Sequence, residues 1–142
     1  IAQKGKAIPD RNAVVEAMFM TEMACGVLAS VQDLESIALP IELDGTDGGE
    51  EFVRYDGVTE CCKDGDQLMW DGAGRILSSI AQGPTINGLV TEHTTSAGYC
   101  FYFVPDVPEE MRLAALDYLD RAVRAGSPDA ELIGTTTLSA TG

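Results

Sequence analysis

The stretch Gln67-Leu68-Met69-Trp70-Asp71-Gly72-Ala73-Gly74-Arg75-Ile76-Leu77-Ser78-Ser79-Ile80 decides the fold of this chain. Two β-prone runs, at residues 67–70 and 75–80, flank the Asp-Gly pair at 71–72. Asp-Gly between extended runs is typical of a hairpin, because glycine tolerates the positive φ that tight turns require. The stretch therefore predicts an antiparallel hairpin and a sheet built around it.

Further strands are predicted on both sides of this hairpin. A short strand is expected at residues 52–55, and two more at 86–92 and 98–104. The run YCFYFV at 99–104 is the most β-prone segment and is apolar on both parities, so it predicts a central strand covered on both faces. The Thr-rich residues 131–139 predict a last edge strand.

A long helix is predicted ahead of the strands, over residues 12–37. It ends before Pro40, because the residue before a proline avoids the α region. Its apolar residues recur every four positions in several adjacent rows, which indicates a helix that is apolar over much of its circumference. The row that we assign to a candidate subunit interface consists of Val15, Phe19, Met23 and Val27.

A second helix is predicted near the C-terminus. Asp106 is the expected N-cap, with Glu109 three residues on completing a capping box, and Gly126 and Pro128 end the helix. Residues 1–9 are polar and basic and are predicted to form an arm. The remaining residues 10–142 predict one α+β domain, with the long N-terminal helix packed on an antiparallel sheet and the second helix near the C-terminus.

The charge of the chain is strongly negative. Nine Lys and Arg against 23 Asp and Glu give a net charge of −14. This field repels nucleic acids and anionic lipids, so neither is an expected partner. Three interpretations of the acidity stay open: a solvated face, a surface that meets a basic partner or cations, and adaptation to high salt. The candidate acidic partner surface consists of Asp44, Asp47, Glu50 and Glu51.

Four cysteines are present, Cys25, Cys61, Cys62 and Cys100. An even number permits two disulfides with three alternative pairings, and the adjacent Cys61 and Cys62 are not expected to bond to each other. Disulfides favour an extracellular or periplasmic location; in a reducing compartment Cys25 and Cys100 are buried small hydrophobes. The start at Ile1 instead of Met predicts a mature or trimmed fragment, and no stretch reaches the ~18 apolar residues of a membrane span.

No pattern for catalysis, metal binding or cofactor binding is evident. His93 is the single histidine, without an assignable nucleophile partner. The cysteines lack the C-x-x-C spacing of zinc and thioredoxin-type sites, and no phosphate-binding glycine motif occurs. The acidic loop DGTDGGEE at 44–51 lacks the register of an EF-hand. We therefore predict no catalytic residue, no metal and no cofactor.

Two segments resemble type IV pilins, in particular the globular heads of the type IVb and conjugative pilins. The passage FYFVPDVPE at 101–109 looks like their strand, Val-Pro and helix sequence, and WDGAG at 70–74 is similar to their Gly-rich turn. The membrane-spanning start of the family is absent here. The helix after Val-Pro carries no cysteine, so the disulfide pairing of the family does not transfer. The resemblance implies a structural subunit or exported module of a surface filament or of a secretion or adhesion assembly.

An alternative function follows from the charge alone. A small acidic protein of the inhibitor or immunity type would engage a basic partner through the acidic surface and steer its approach electrostatically. Both interpretations describe a non-enzymatic protein whose partner is another protein. They differ in the surface that contacts the partner. A filament subunit would use the apolar helix, and an inhibitor would use the acidic residues.

Overall fold

This computed structural model describes residues 12–139. Two helices and eight short strands, joined by turns and loops, lie within this range. The elements are α1 (Ala13–Cys25), β1 (Leu28–Asp33), β2 (Glu42–Gly45), β3 (Glu51–Val53), β4 (Thr59–Cys61), β5 (Gln67–Trp70), β6 (Ile76–Ser79), β7 (Gly83–Pro84), β8 (Ala97–Tyr102) and α2 (Glu109–Gly126). All strand pairs are antiparallel. The α+β class is confirmed, while the predicted arm at 1–9 lies outside the described residues.

The strands form three sheets. The largest has the order β2-β5-β6-β7, while β1 pairs with β8 and β3 pairs with β4. The predicted hairpin is confirmed as β5 and β6, with Leu68 opposite Ser79. Its turn is closed by backbone hydrogen bonds in which Asp71 N–H donates to the Arg75 carbonyl at 3.0 Å and Gly74 N–H to the Asp71 carbonyl at 2.8 Å.

The core lies on this hairpin. Leu68, Met69 and Leu77 are at most 1% exposed. Phe52 and Cys62 pack with Leu68 and Ile76, and Trp70 adds a partly buried ring to the same cluster. Phe52 of β3 and Cys62, the residue after β4, therefore pack on the hairpin, and this burial of apolar surface stabilises the fold.

The first helix is shorter than predicted. It ends at Cys25 instead of extending to residue 37, because Gly26 adopts a left-handed conformation (φ 65°) and its N–H donates to the Glu22 carbonyl. Residues 28–33 then form β1, in which Val31 lies opposite Tyr99 of β8. The four-residue apolar spacing is compatible with a helix, but pairing with β8 decides the structure of this segment.

The strand predicted at 98–104 is present as β8. It is covered on both faces, as predicted, but it is not a central strand of a sheet. It pairs with β1 alone within residues 12–139. On one face the Tyr99 hydroxyl donates to the Val14 carbonyl of α1 at 2.8 Å. On the other face Tyr102 lies beside Ser78 of β6. The two faces of β8 are thus covered by helix α1 and by a second sheet, as a buried strand requires. A central strand would also have a neighbouring strand on each edge, whereas β8 has one, β1, within the described part of the chain.

Three other predictions about elements were wrong. Residues 86–92 form turns and loop, and residues 131–139 are exposed and form no strand. The strand predicted at 52–55 is confirmed as β3, shifted by one to two residues, and it pairs with β4. Asp106 is not a helix cap: its φ is 69°, α2 begins at Glu109, and Pro108 occupies the N-cap position without a side-chain hydrogen bond.

The two helices pack against each other and form the second layer. Ala17 and Thr21 of α1 and Ala115 and Leu119 of α2 are buried. Small residues permit this close approach, since a Cβ placed on Gly126 would lie 2.9 Å from the Ala13 Cβ. Within residues 12–139, no helix has both the length and the apolar character needed to cross a membrane.

Candidate functional site

An open depression of about 490 Å³ lies where β2 meets the turn between β5 and β6. Its volume falls within the range of roughly 300–1,000 Å³ that small-molecule sites occupy. It is lined by Pro40, Glu42, Asp44, Gly45, Trp70, Asp71, Gly72 and Gly74. The edge strand β2 thus supplies one wall, and the β5–β6 hairpin, on which the core lies, supplies the other.

The depression has an acidic wall and an aromatic one. Glu42 and Asp44 are alternate residues of β2, so both side chains project from the same face of the strand. Glu42 lies directly opposite Trp70 of β5, and both carboxylates are exposed. Two carboxylates beside an indole ring favour a cationic group, through charge attraction and through the π face of the ring.

Asp71 holds the hairpin turn to the segment before β2. Its side chain is fully buried, and its carboxylate accepts from the backbone N–H groups of Ala38 (3.1 Å), Ala73 (3.1 Å) and Arg75 (2.8 Å). The Arg75 guanidinium adds bonds of 2.9 and 2.6 Å. Burial would raise the Asp71 pKa, but the Arg75 charge and these donors lower it to about 2. Asp71 therefore stays ionised and acts as a structural anchor.

The contact between the hairpin turn and the segment before β2 also requires glycine at position 72. Gly72 N–H donates to the Ala38 carbonyl at 2.7 Å, and a Cβ on this residue would lie only 2.5 Å from the Leu39 carbonyl oxygen. Because this neighbour is backbone, it cannot rotate away. The floor of the depression is thus fixed by backbone contacts before any ligand arrives.

A second group of polar side chains lies between the β1–β8 sheet and β6. We call it the inter-sheet cluster, and it consists of Ser30, Ser78, Cys100 and Tyr102. The Ser30 and Tyr102 hydroxyls are 2.8 Å apart and hydrogen-bonded. Ser78 is 4% exposed, and its hydroxyl also lies against the Tyr102 hydroxyl, a contact that lowers the pKa of Tyr102.

The groups of the inter-sheet cluster are uncharged at neutral pH. Burial raises the pKa of the Tyr102 phenol, an effect that the Ser30 hydrogen bond reduces, and burial also raises the pKa of the Cys100 thiol. Both groups therefore keep their protons, and serine hydroxyls do not ionise in this range. The cluster offers neutral donors and acceptors only.

The four cysteines, all within residues 12–139, are free thiols in the structure. Cys62 is buried in the core, and this burial raises the pKa of its thiol, whereas the neighbouring Cys61 is exposed. Cys25 and Cys100 are half-buried. The two-disulfide interpretation, and the oxidising location that it favoured, stay predictions.

The four residues of the predicted subunit interface do not form one continuous row on a helix in the structure. Val15 and Phe19 are half-buried on α1, Met23 is 57% exposed, and Val27 lies beyond the end of the helix. Met20 of the same helix is 47% exposed. An exposed methionine pair therefore remains where the longer apolar stripe was expected.

The predicted acidic partner surface is brought only partly into the depression. Asp44 lines it, whereas Asp47 is exposed on the loop after β2 and Glu51 is exposed at the start of β3. Glu50 is half-buried and accepts a hydrogen bond from the Thr46 hydroxyl. The combination of Asp44 with Glu42 and Trp70 was not predicted from the sequence. The Glu-x-Asp alternation at 42–44 signals a shared face, but the pairing of β2 with β5 cannot be read from the sequence.

The similarity of this chain to known proteins lies in its fold. No protein-family profile matches the sequence, and no curated protein is similar to it. Among solved structures, the chain is similar to an N-terminal fragment of the phenylalanyl-tRNA synthetase beta-subunit from Pyrococcus horikoshii, with a TM-score of 0.66 and 15% sequence identity. The match covers 84% of this chain and 42% of that fragment, so the chain spans less than half of the fragment.

Proposed function

We propose that this chain recognises the aminoacyl end of a charged tRNA. The observation that carries the proposal is the fold shared with a fragment of a phenylalanyl-tRNA synthetase beta-subunit over 84% of the chain. Unrelated functions often use the same fold, so the chemistry has to be argued from the site. The depression between β2 and the hairpin supplies that argument.

The charge of the depression suits an aminoacyl ester better than a free amino acid. An amino acid esterified to tRNA keeps its α-ammonium but has lost its carboxylate, so the aminoacyl group carries one positive charge. Glu42 and Asp44 attract that ammonium beside the Trp70 ring. A free amino acid brings a carboxylate as well, which the same two residues repel.

The net charge of −14 limits the contact with RNA to a small area. Proteins that hold RNA by its phosphates carry basic surfaces and lose affinity steeply as salt rises. Here the phosphates are repelled, and the aminoacyl group supplies the attraction. We therefore expect binding of a whole aminoacyl-tRNA to be weak at low salt and to show no steep loss on adding salt.

Three small probes test the proposal, because they carry the ammonium group alone, the ammonium group together with the carboxylate, or neither. Calorimetric titration of the chain with phenylalaninamide, which has the ammonium and no carboxylate, is expected to show binding. Phenylalanine, whose carboxylate is repelled, and N-acetylphenylalaninamide, which has lost the ammonium, are each expected to bind about tenfold more weakly. Equal binding of phenylalanine and its amide would contradict the proposal.

A charge-neutral variant ties the binding to the depression. The double substitution Glu42→Gln with Asp44→Asn should weaken phenylalaninamide binding about tenfold or more. The matched control, Glu92→Gln with Asp129→Asn, removes two exposed charges elsewhere and should leave the affinity unchanged. If both double variants bind equally well, the acidic wall is not the binding site.

The acidic binding-protein alternative is also a proposal, supported by the exposure of Asp44, Asp47 and Glu51. This surface would attract a basic protein through long-range charge, and the association rate would then fall as salt rises. Oligolysine is a suitable probe. Association that slows with salt for the parent chain, but not after Asp44→Asn, Asp47→Asn and Glu51→Gln together, would favour this alternative.

The pilin-like filament subunit stays a prediction as well. Its support in the structure is the exposed pair Met20 and Met23 on α1, the helix of the predicted interface, which ends at Cys25. Assembly through apolar side chains would tolerate salt. Sizing at low and high salt tests this: a salt-resistant oligomer that Met23→Lys dissociates would support assembly, and a monomer under both conditions would contradict it.

A further inference from the structure

The two outer edges of the β1–β8 sheet differ in how their backbone groups are used. On the β1 edge, the Ala29 N–H donates to the Glu22 carboxylate at 2.8 Å, and the Asp33 N–H donates to the Gly88 carbonyl at 2.9 Å. Both residues therefore turn their N–H groups away from β8. The chain itself closes this edge of the sheet at both ends of β1.

The register identifies the residues that form the other edge, on β8. Ala29 lies opposite Phe101, and Val31 lies opposite Tyr99. In an antiparallel pair, two opposite residues either bond to each other or both turn their N–H and C=O groups outward. Since Ala29 is of the outward kind, Tyr99 and Phe101 present their backbone groups on the outer edge of β8. Within residues 12–139, no other backbone group pairs with them.

The outer edge of β8 has the composition of a strand that accepts another strand. Residues 97–104 read AGYCFYFV, without a charged residue or a proline. Proteins usually protect an edge strand from further pairing with charges, proline or a bulge. The pairing of β8 with β1 is regular from Ala97 to Tyr102. An extended peptide can therefore add to this edge through main-chain hydrogen bonds.

The same chain carries a segment that is suited to such pairing. We call residues 131–139 the C-terminal segment; each of them is exposed, and none belongs to a helix or strand. From residue 132 it reads LIGTTTLS, which is uncharged and rich in the β-branched residues that strands favour. Its apolar side chains lie in water, since Leu132, Ile133 and Leu138 are 66%, 90% and 83% exposed.

Charge and position together indicate which molecule supplies the added strand. The edge at 97–104 and the segment at 132–139 are both uncharged, so their contact is not opposed locally by the net charge of −14. A basic partner would find no acidic residue on this edge. The C-terminal segment pairs with no strand of its own chain. The strand that fits is therefore the same segment of a second copy.

We propose that residues 132–138 of one copy add as a strand to the outer edge of β8 in a second copy. Leu132 and Leu138 have the same parity, so both would project from one face of the added strand. Exchange in both directions gives a closed, symmetric dimer. This interaction lies apart from the depression and does not depend on the function proposed for it.

Sedimentation velocity of the full chain over a range of concentrations tests the proposal. We expect a dimer that forms as the concentration rises and that strengthens on adding salt. Salt screens the repulsion between two copies of charge −14, while the contact itself is uncharged. A monomer at every concentration would overturn the proposal, and so would a dimer that dissociates as salt is added.

Paired substitutions in the C-terminal segment connect the dimer to strand pairing. Thr135→Pro with Thr136→Pro removes one N–H from each edge of the added strand and should weaken the dimer at least about tenfold. The matched control, Thr135→Val with Thr136→Val, keeps both N–H groups and should dimerise at least as strongly. Met23→Lys, which tests assembly through α1, should have no effect. Equal association of the proline and valine variants would refute the proposal.

A peptide experiment tests the assignment to β8. The proline variant cannot donate its own segment, so it serves as the acceptor for a peptide with the sequence of residues 130–139. Amide exchange followed by NMR should slow at Tyr99 and Phe101 when this peptide binds, and should not change with a peptide that carries the two prolines. Protection at Leu43 of the exposed edge strand β2 instead would show that the assignment to β8 is wrong.

Discussion

At the scale of single residues, Asp71 joins the hairpin turn to the segment before β2. Its buried carboxylate accepts hydrogen bonds from three backbone N–H groups and from the Arg75 guanidinium. Asp71→Asn keeps the size of the side chain but removes its charge and part of its accepting capacity. We expect a loss of about 2 kcal/mol in the free energy of unfolding, measured by urea denaturation at neutral pH.

Asp64→Asn is the matched control, because Asp64 is exposed. Its effect should stay within about 0.5 kcal/mol, as for surface substitutions in general. Equal effects of the two substitutions would show that the Asp71 network does not contribute to stability.

The same carboxylate makes stability depend on pH. Its pKa in the folded protein is about 2, below the ordinary value of 3.8. The contribution of Asp71 is therefore present above 3.8 and is lost as the pH falls to the folded value. Urea midpoints measured between neutral pH and pH 2 should fall less steeply for Asp71→Asn than for the parent chain, whereas parallel curves would contradict this assignment.

At the scale of elements, the junction of the β5–β6 turn with Leu39 depends on the absence of a side chain at position 72. Gly72→Ala would place a Cβ 2.5 Å from the Leu39 carbonyl oxygen. We expect a destabilisation of about 1–3 kcal/mol, as for overpacked sites, together with a change in the depression. Gly134→Ala is the control in open space and should be neutral by thermal unfolding. A neutral Gly72→Ala would show that the junction is loose.

The hairpin and the second helix were predictable because local signals decide them. Asp71-Gly72 between two β-prone runs specifies β5 and β6, and the amphipathic pattern from Glu109 to Gly126 specifies α2. The segment at 28–33 is different. Its apolar spacing fits a helix, and it becomes β1 because β8 offers a partner that is distant in sequence.

The candidate sites were less predictable, for the same physical reason. Glu42 and Trp70 meet through the pairing of β2 with β5, and Ser78 meets Tyr102 through the packing of two sheets. Neither contact leaves a periodic signal in the sequence. Of the residues named in advance as candidate site residues, Asp44 alone lines the depression and Cys100 alone belongs to the inter-sheet cluster.

At the scale of the whole molecule, the net charge of −14 predicts that salt stabilises the fold. Like charges repel one another more in the compact state than in the unfolded chain, and salt screens this repulsion. We expect the unfolding temperature to rise by about 2–4 °C between low salt and ~0.5 M NaCl, which corresponds to about 1 kcal/mol. A falling temperature would instead indicate that ion pairs such as Arg54–Asp56 outweigh the repulsion.

The pairing of β1 with β8 also sets an order of events during synthesis. Val31 leaves the ribosome long before its partner Tyr99, and at roughly 5–20 residues per second the delay is on the order of ten seconds. During this time β1 has no strand to pair with, while the β5–β6 hairpin can already form as soon as its own residues emerge. The nascent chain therefore exposes an unpaired β segment, and it is in this interval that we expect chaperones to bind.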